Sequence, residues 1–366
     1  MHYKLLTPGP LTTSDTVKQS MLKDWCTWDE EYKTLVEDIR SKLLEINSLS
    51  NLKHTVTLLQ GSGTYGVEST IISSVGENNH LLVLKNGAYG ERIYEIATKA
   101  KKNVSSLAFD ERSIIDKEVL NSYLKENPSI THVAFVHCET TTGILNPLED
   151  LCEVVKQHDK VLIVDAMSSL GGIPIDIDAL QIDFIISSSN KCLQGVPGFS
   201  FIISKIESIQ KCEGNSTSLS LDLYDQWINM EMDPGKWRFT SPTHVVRAFY
   251  QAILELVDEG GIVARYKRYL DNQKKLVAGL ENLGFKSCIE IQFQSPIITT
   301  FLFPDSKTFT FQSLYDYLKV YGFVIYPGKL SNLSVFRIGN IGDINANDIE
   351  LLIMILENYK VNFLNE

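Results

Sequence analysis

Between Thr55 and Lys205 the chain alternates short β-branched runs with longer amphipathic ones, and no other feature restricts its fold as strongly. TVTLLQ is followed by GVESTIISSV, LLVLKN by GERIYEIATKAKK, VSSLAF by DKEVLNSYLKEN and HVAFVHCE by LEDLCEVVKQH, before VLIVDA. Such alternation builds βα units, since one strand reaches a parallel neighbour only through a crossover. The expectation is an α/β fold: a largely parallel sheet covered by helices on both faces, with ligands at the carboxyl ends of the strands. Two further runs, DFIISSSN and FSFIISK, lie too close together for a crossover helix, so an antiparallel edge is expected there. Beyond them the pattern changes. MDPGKWRFTSPTH is punctuated by Pro and Gly, a helix is expected from Val245 to Glu259, and Gly260-Gly261 marks its stop. The charged stretch RYKRYLDNQKKLVAGLENL and the runs PIITTFLF, FQSLYDYLKVYG and SVFRIGN then read as a smaller α+β unit.

The 366 residues are 44% hydrophobic and 22% charged, enough for one large domain or two unequal ones. A formal net charge of −11 argues against a nucleic-acid partner, because a phosphate backbone is gripped by basic patches and none stands out. No apolar run approaches the roughly 20 residues that a membrane-spanning helix needs. MHYKLLTPGPLTTSD lacks the apolar core of a signal peptide, so a cytoplasmic protein without membrane association is expected. Cys26, Cys138, Cys152, Cys192, Cys212 and Cys288 lie far apart with no C-x-x-C, so the expectation is free thiols and no metal site.

Four places carry chemistry. QGSGTYG, Gln60 to Gly66, has the spacing of a dinucleotide-binding turn, but the strand that should end in a ribose-binding acid ends in Lys85 and Asn86. Small residues opening a helix leave backbone N–H groups, with the Ser62 and Thr64 hydroxyls, for one phosphate. A tight turn capped by a serine accounts for the same residues. Asp165 follows the apolar run Val161 to Val164, where an acid is costly without a cationic partner. A protonated pyridine nitrogen would supply one, and capping the next helix is the plainer account. Lys191 leaves an apolar strand at the same end of the sheet. A lysine desolvated there is a nucleophile or base near neutral pH, whereas most lysines are merely solvated. Arg337, in SVFRIGNIG, has a fork suited to a substrate anion, or it snorkels to solvent from an edge strand.

Together QGSGTYGVES, NGAYGER, HCETTTGILNP, VDAMSSLGG, SSNKCLQGVPG, KWRFTSPTH and FRIGNIG resemble the class V, fold-type I, pyridoxal-phosphate aminotransferases, in that family's order and over nearly the whole chain. The 26-residue step from Asp165 to Lys191 (191 − 165 = 26) fits the same family. Within it, LLTPGPLTTS, DWCTWDEEY and KWRFTSPTH are closer to the subgroup acting on 2-aminoethylphosphonate and pyruvate than to the alanine:glyoxylate relatives.

The resemblance implies a seven-stranded, mostly parallel sheet in a large domain over residues 21–260. A small C-terminal domain would span 261–366, and an N-terminal arm over 1–20 would join it at the active-site entrance. It implies pyridoxal 5'-phosphate as cofactor, held covalently by Lys191, paired at its ring nitrogen with Asp165 and stacked under Tyr89. Ser62, Gly63 and Thr64 would cradle the phosphate, and Thr140 would lie near the ring hydroxyl. Thr240 would reach the phosphate of a neighbouring subunit in a homodimer, and Arg337 would bind the substrate's carboxylate or phosphonate, with Arg238 or Arg92 as candidate assistants. The implied reaction is a ping-pong transamination from 2-aminoethylphosphonate, leaving phosphonoacetaldehyde, to pyruvate, leaving alanine. Alanine:glyoxylate or serine:pyruvate transamination is the alternative within the class. A cysteine-desulfurase-like lyase would need a mobile nucleophilic cysteine, and Cys288 in GFKSCIEIQF reads instead as the start of a strand.

Overall fold

The computed structural model describes residues 3–328, 330 and 333–363. Its strands in chain order are β1 (Lys4–Leu5), β2 (His54–Gln60), β3 (Leu81–Lys85), β4 (Val104–Ala108), β5 (His132–Val136), β6 (Cys138–Glu139) and β7 (Ile144–Leu145). They continue with β8 (Val161–Asp165), β9 (Phe184–Ser188), β10 (Phe199–Lys205), β11 (Ile298–Leu302), β12 (Phe323–Val324), β13 (Tyr326–Pro327) and β14 (Val335–Gly339).

Seven strands form the main sheet in the order β2-β10-β9-β8-β5-β3-β4. β10 is antiparallel to both its neighbours and the other pairings are parallel, so only β10 runs against the rest. The antiparallel strand is therefore one place in from the border, and the edge expected at DFIISSSN and FSFIISK falls instead at β2. Helix Leu223–Met232 lies against that edge, where Gln226 Nε2 donates to the Leu58 carbonyl at 3.0 Å. An otherwise open row of strand groups is thereby covered.

Strand residues alternate between two cores. Leu82, Leu84, Val133, Phe135, Leu162 and Val164 join one cluster, and Leu81, Val83, Ala134, Val136 and Ile163 the other. A period of two with both faces buried explains why these strands read as unbroken apolar runs. Each such large side chain contributes about 1.5–3 kcal/mol on burial.

Helix Thr243–Glu259 ends at Gly260, whose φ of 106° suits a residue without Cβ, and the next helix, Gly261–Asn282, starts at once. That helix, with Phe311–Val320 and Ala346–Phe363, packs Leu276, Leu314, Phe336 and Leu352 into a separate core beside the sheet β11-β14-β13. The N-terminal segment crosses over to this unit. Lys4–Leu5 pairs in parallel with Phe323–Val324, Leu6 lies in its core, and the Gly339 amide donates to the Leu6 carbonyl at 3.0 Å.

Candidate active site

The carboxyl ends of β2, β8 and β9 reach the same border of the sheet, and each delivers one polar element there. After β2 the chain turns through Gly61, φ 116°, where a Cβ would come within 2.6 Å of the Tyr65 ring. Helix Gly63–Ser74 follows, with Ser62 at its N-cap and no side-chain cap bond. Of its first-turn amides, Tyr65 donates to the Ser62 carbonyl at 2.9 Å, and a helix start leaves the preceding ones without intrahelical acceptors. A Cβ at Gly63 would meet the Met167 sulfur at 2.2 Å, so that flexible side chain would have to move to admit one.

Asp165 ends β8, is 6% exposed, and accepts the Met167 amide on Oδ1 at 2.9 Å. Burial raises its carboxyl to about 6, against the Met167 amide and the charges of Lys191 and Arg92. Lys191 lies in the short connection between β9 and β10, closed by the Gln194 amide on the Lys191 carbonyl at 2.7 Å and the Gly195 amide on the Ser189 carbonyl at 2.8 Å. Burial brings its amine down to about 8. Its Nζ donates to the Pro8 carbonyl at 2.8 Å, so the N-terminal segment lies over it.

One concavity with about 430 Å³ of empty space brings together Gly63, Thr64, Tyr89, Arg92, Asp165 and Lys191. Tyr89 stands in the first turn of helix Ala88–Lys99, with the Arg92 guanidinium 4.8 Å from its ring centre. Arg92 Nη1 donates to Thr64 Oγ1 at 3.4 Å. Arg238 is engaged elsewhere, with Asp225 at 3.2 Å and the Leu219 carbonyl at 2.9 Å.

Thr140 follows β6, is 1% exposed, and its hydroxyl has no partner among the described residues. Its carbonyl accepts Arg337 Nη1 at 2.8 Å, while Arg337 Nε donates to the Pro327 carbonyl at 3.0 Å. Arg337 is 2% exposed on β14, the middle strand of its sheet, so snorkelling from an edge is ruled out. It forms no ion pair among the described residues. Ser62 is exposed at the mouth of the turn. Thr240 is exposed and does not line the concavity of its own chain.

Two contributors lie within the quoted motifs HCETTTGILNP and LLTPGPLTTS but carry no role in the motif reading. Glu139 is fully buried behind Tyr89, and the Pro8 carbonyl holds Lys191. Glu139 carried the same sign as Asp165, an acid ending an apolar run, HVAFVHCE. The Pro8 contact joins segments far apart in the chain, and no local pattern announces it.

The family model of the class-V aminotransferases matches residues 23–334. The chain is 56% identical over 355 residues to a protein of Bacillus cereus (strain G9842) named 2-aminoethylphosphonate--pyruvate transaminase, covering 96% of each. A protein of the same name from Bacteroides fragilis (strain YCH46) is 55% identical, covering 97% of this chain and 98% of its own. In fold, the chain is similar to the ureidoglycine-glyoxylate aminotransferase of Bacillus subtilis, with a TM-score of 0.90 at 22% identity over 99% of this chain and 94% of the other. This chain belongs to the class-V aminotransferases. It is an enzyme of the pyridoxal-phosphate-dependent, fold-type I kind.

The pocket suits that cofactor on its own evidence. A threonine hydroxyl two residues past the lining Cys138, unpaired among the described residues, a carboxyl raised by burial, and a helix N-terminus without a side-chain cap bond are three deficits of protein chemistry. A pyridinium ring bearing a hydroxyl and a phosphate answers all three.

Proposed function

We propose that this chain transfers the amino group of 2-aminoethylphosphonate to pyruvate, giving phosphonoacetaldehyde and alanine. The observation that carries the reading from the geometry is Arg337, a buried guanidinium that among the described residues donates to two carbonyls, lies 5.9 Å from the Tyr326 ring centre and has no ion pair. A buried cation without an anion is costly, and a substrate carboxylate or phosphonate completes it. The names of relatives at 55–56% identity over nearly the whole chain support the choice of substrates.

Bound pyridoxal phosphate supplies an electron sink for the carbon that carries the substrate's amine. Lys191 Nζ holds the cofactor and, once released, takes the proton from that carbon. With its amine near 8, a useful fraction is neutral at physiological pH, and general-base catalysis of this kind typically contributes about 10²–10⁴-fold. Asp165 keeps the ring nitrogen protonated by facing it with a carboxylate. Tyr89 supports the ring face, Thr140 donates toward the ring oxygen, and Ser62, Gly63 and Thr64 hold the phosphate at the helix N-terminus. Arg337 orients the substrate by its anion, the phosphonate in one half-reaction and the carboxylate in the other.

In this reading residues 21–260 form the cofactor domain and residues 261–366 the substrate-binding one, with the arm 1–20 closing over Lys191. Two copies pair as a homodimer, Thr240 of each reaching the other's phosphate. Six free cysteines support a reducing, cytoplasmic setting. No helix among the described residues is long and apolar enough to cross a membrane.

A donor and acceptor panel on the purified protein tests the reading. With pyruvate as acceptor, 2-aminoethylphosphonate is expected to exceed alanine and serine as donor by at least about a hundredfold in kcat/KM, or about 2.7 kcal/mol of transition-state binding. Equal or better turnover of alanine with glyoxylate refutes it.

A further inference from the structure

We propose that Glu139 is a positioning residue for the ring-facing wall of the pocket, holding the first turn of helix Ala88–Lys99 so that Tyr89 stays in place. The inference rests on the reading of Tyr89 as the cofactor's ring support.

The N-cap of that helix is Gly87, which has no side chain with which to cap it. Glu139 supplies the missing acceptor from another strand. Its Oε2 accepts the Tyr89 amide at 3.1 Å and the Gly90 amide at 3.4 Å, and its Oε1 accepts the Thr141 hydroxyl at 2.8 Å. The absence of a side chain at Gly87 is what admits the carboxyl, since a Cβ there would stand 2.2 Å from Glu139 Cγ and 2.4 Å from Cδ. The same residue anchors the turn behind it, its carbonyl accepting the Gly143 amide at 2.8 Å and the Thr142 hydroxyl at 3.2 Å. Thr140 sits inside that turn, and its carbonyl in turn holds Arg337. One side chain and its own carbonyl therefore tie together the helix end bearing Tyr89 and Arg92, the unpaired Thr140 hydroxyl, and the arginine of the smaller sheet.

A carboxyl with no exposure is an expensive way to fill space. Burial raises it to about 7, opposed by the Thr141 hydroxyl and the Tyr89, Gly90 and Thr141 amides. Ordinary capping uses the residue at the helix start and leaves it in water. Here the cap is buried and delivered to the one turn that carries the ring support.

The test compares Glu139→Ala, Glu139→Asp, Glu139→Gln and Tyr89→Ala, reading pyridoxal-phosphate affinity of the cofactor-free protein and the visible circular-dichroism band of the bound cofactor. Tyr89→Ala and Glu139→Ala are expected to weaken binding alike, by roughly tenfold, and to alter the band. Glu139→Gln, which keeps length and an acceptor oxygen, is expected to recover most of both. Glu139→Asp, one methylene short, is expected to resemble Glu139→Ala and replaces it should that variant fail to fold. A lowered melting temperature with wild-type affinity and band in either short variant makes Glu139 a mere helix cap and overturns the inference. An unchanged Tyr89→Ala overturns the reading of Tyr89 instead.

Discussion

The pocket around Lys191 and the loop that carries Thr240 are completed in different ways. Asp165, Lys191, Tyr89, Gly63 and Arg92 converge within a single chain, delivered by a strand end, the connection after β9 and the N-terminal turns of two helices. Thr240 lies in an exposed loop next to Phe239, 49% exposed, and Phe239 borders a surface hollow together with Tyr65, 51% exposed. The first region holds buried groups shifted by their burial, a raised carboxyl and a lowered amine. The second has aromatic surface directed outward. The loop is tied to its own chain at Arg238 and Ser241, while Phe239 and Thr240 between them stay exposed.

The comparison breaks most visibly at Lys191. Lys191→Ala is expected to abolish turnover and to leave cofactor that dialysis removes. A borohydride-reducible adduct in that variant would move the covalent role to another lysine. Asp165→Asn is expected to keep the fold and lower kcat by roughly 10²–10³-fold, the scale of removing one partner from a buried ion pair at 3–5 kcal/mol, discounted for relaxation. Near-normal turnover at neutral pH would return Asp165 to the role of a turn acceptor for Met167. A pH series on cofactor-free protein sharpens the inward side. Because burial depresses the Lys191 amine to about 8, its neutral form grows from about 1% at pH 6 to half at pH 8. The rate of cofactor attachment, followed by visible absorbance, is expected to rise about fiftyfold over that interval and then level off. A rate still climbing tenfold per unit at pH 9–10 would mean an ordinary, solvated lysine.

How far these regions were legible follows the same division. An acid at the end of a strand buried on both faces, as Asp165 in VDAMSS, and a lysine just past another, as Lys191 in SSNKCL, are legible in the sequence, and the fold's βα alternation is plain from periodicity alone. Strand order is not. Nothing local places β10 between β2 and β9, because that order depends on pairings between distant segments. The same holds for Lys4–Leu5 beside Phe323–Val324. The helix Ala346–Phe363 was blurred by apolar residues on both faces, with Leu351 and Met354 exposed alongside the buried Leu352 and Leu356. Glu139 showed the same sign as Asp165, yet its task, capping a helix that begins with glycine, is visible only once β6 and that helix are side by side.

The smallest expected effect tests the outward side. A hydroxyl bonded to a phosphate is worth about 1.5–3 kcal/mol when shielded. Thr240 is exposed in its own chain, so the lower end applies, and Thr240→Ala is expected to weaken pyridoxal-phosphate binding by roughly tenfold while Lys191 still attaches it. Weakened affinity alone does not say whose phosphate is served. Subunit mixing does, if the variants are combined at cofactor concentrations where Thr240→Ala alone is mostly empty and inactive. Should Thr240 act across an interface, a dimer of one Thr240→Ala and one Lys191→Ala chain has one site with both lesions and one with neither. Activity then returns on exchange, toward half the wild-type value per heterodimer. Should Thr240 serve its own chain, every site in the mixture carries one lesion. Heterodimers demonstrated by differential tagging that remain inactive would close the pocket within one chain and remove the contrast between the two regions.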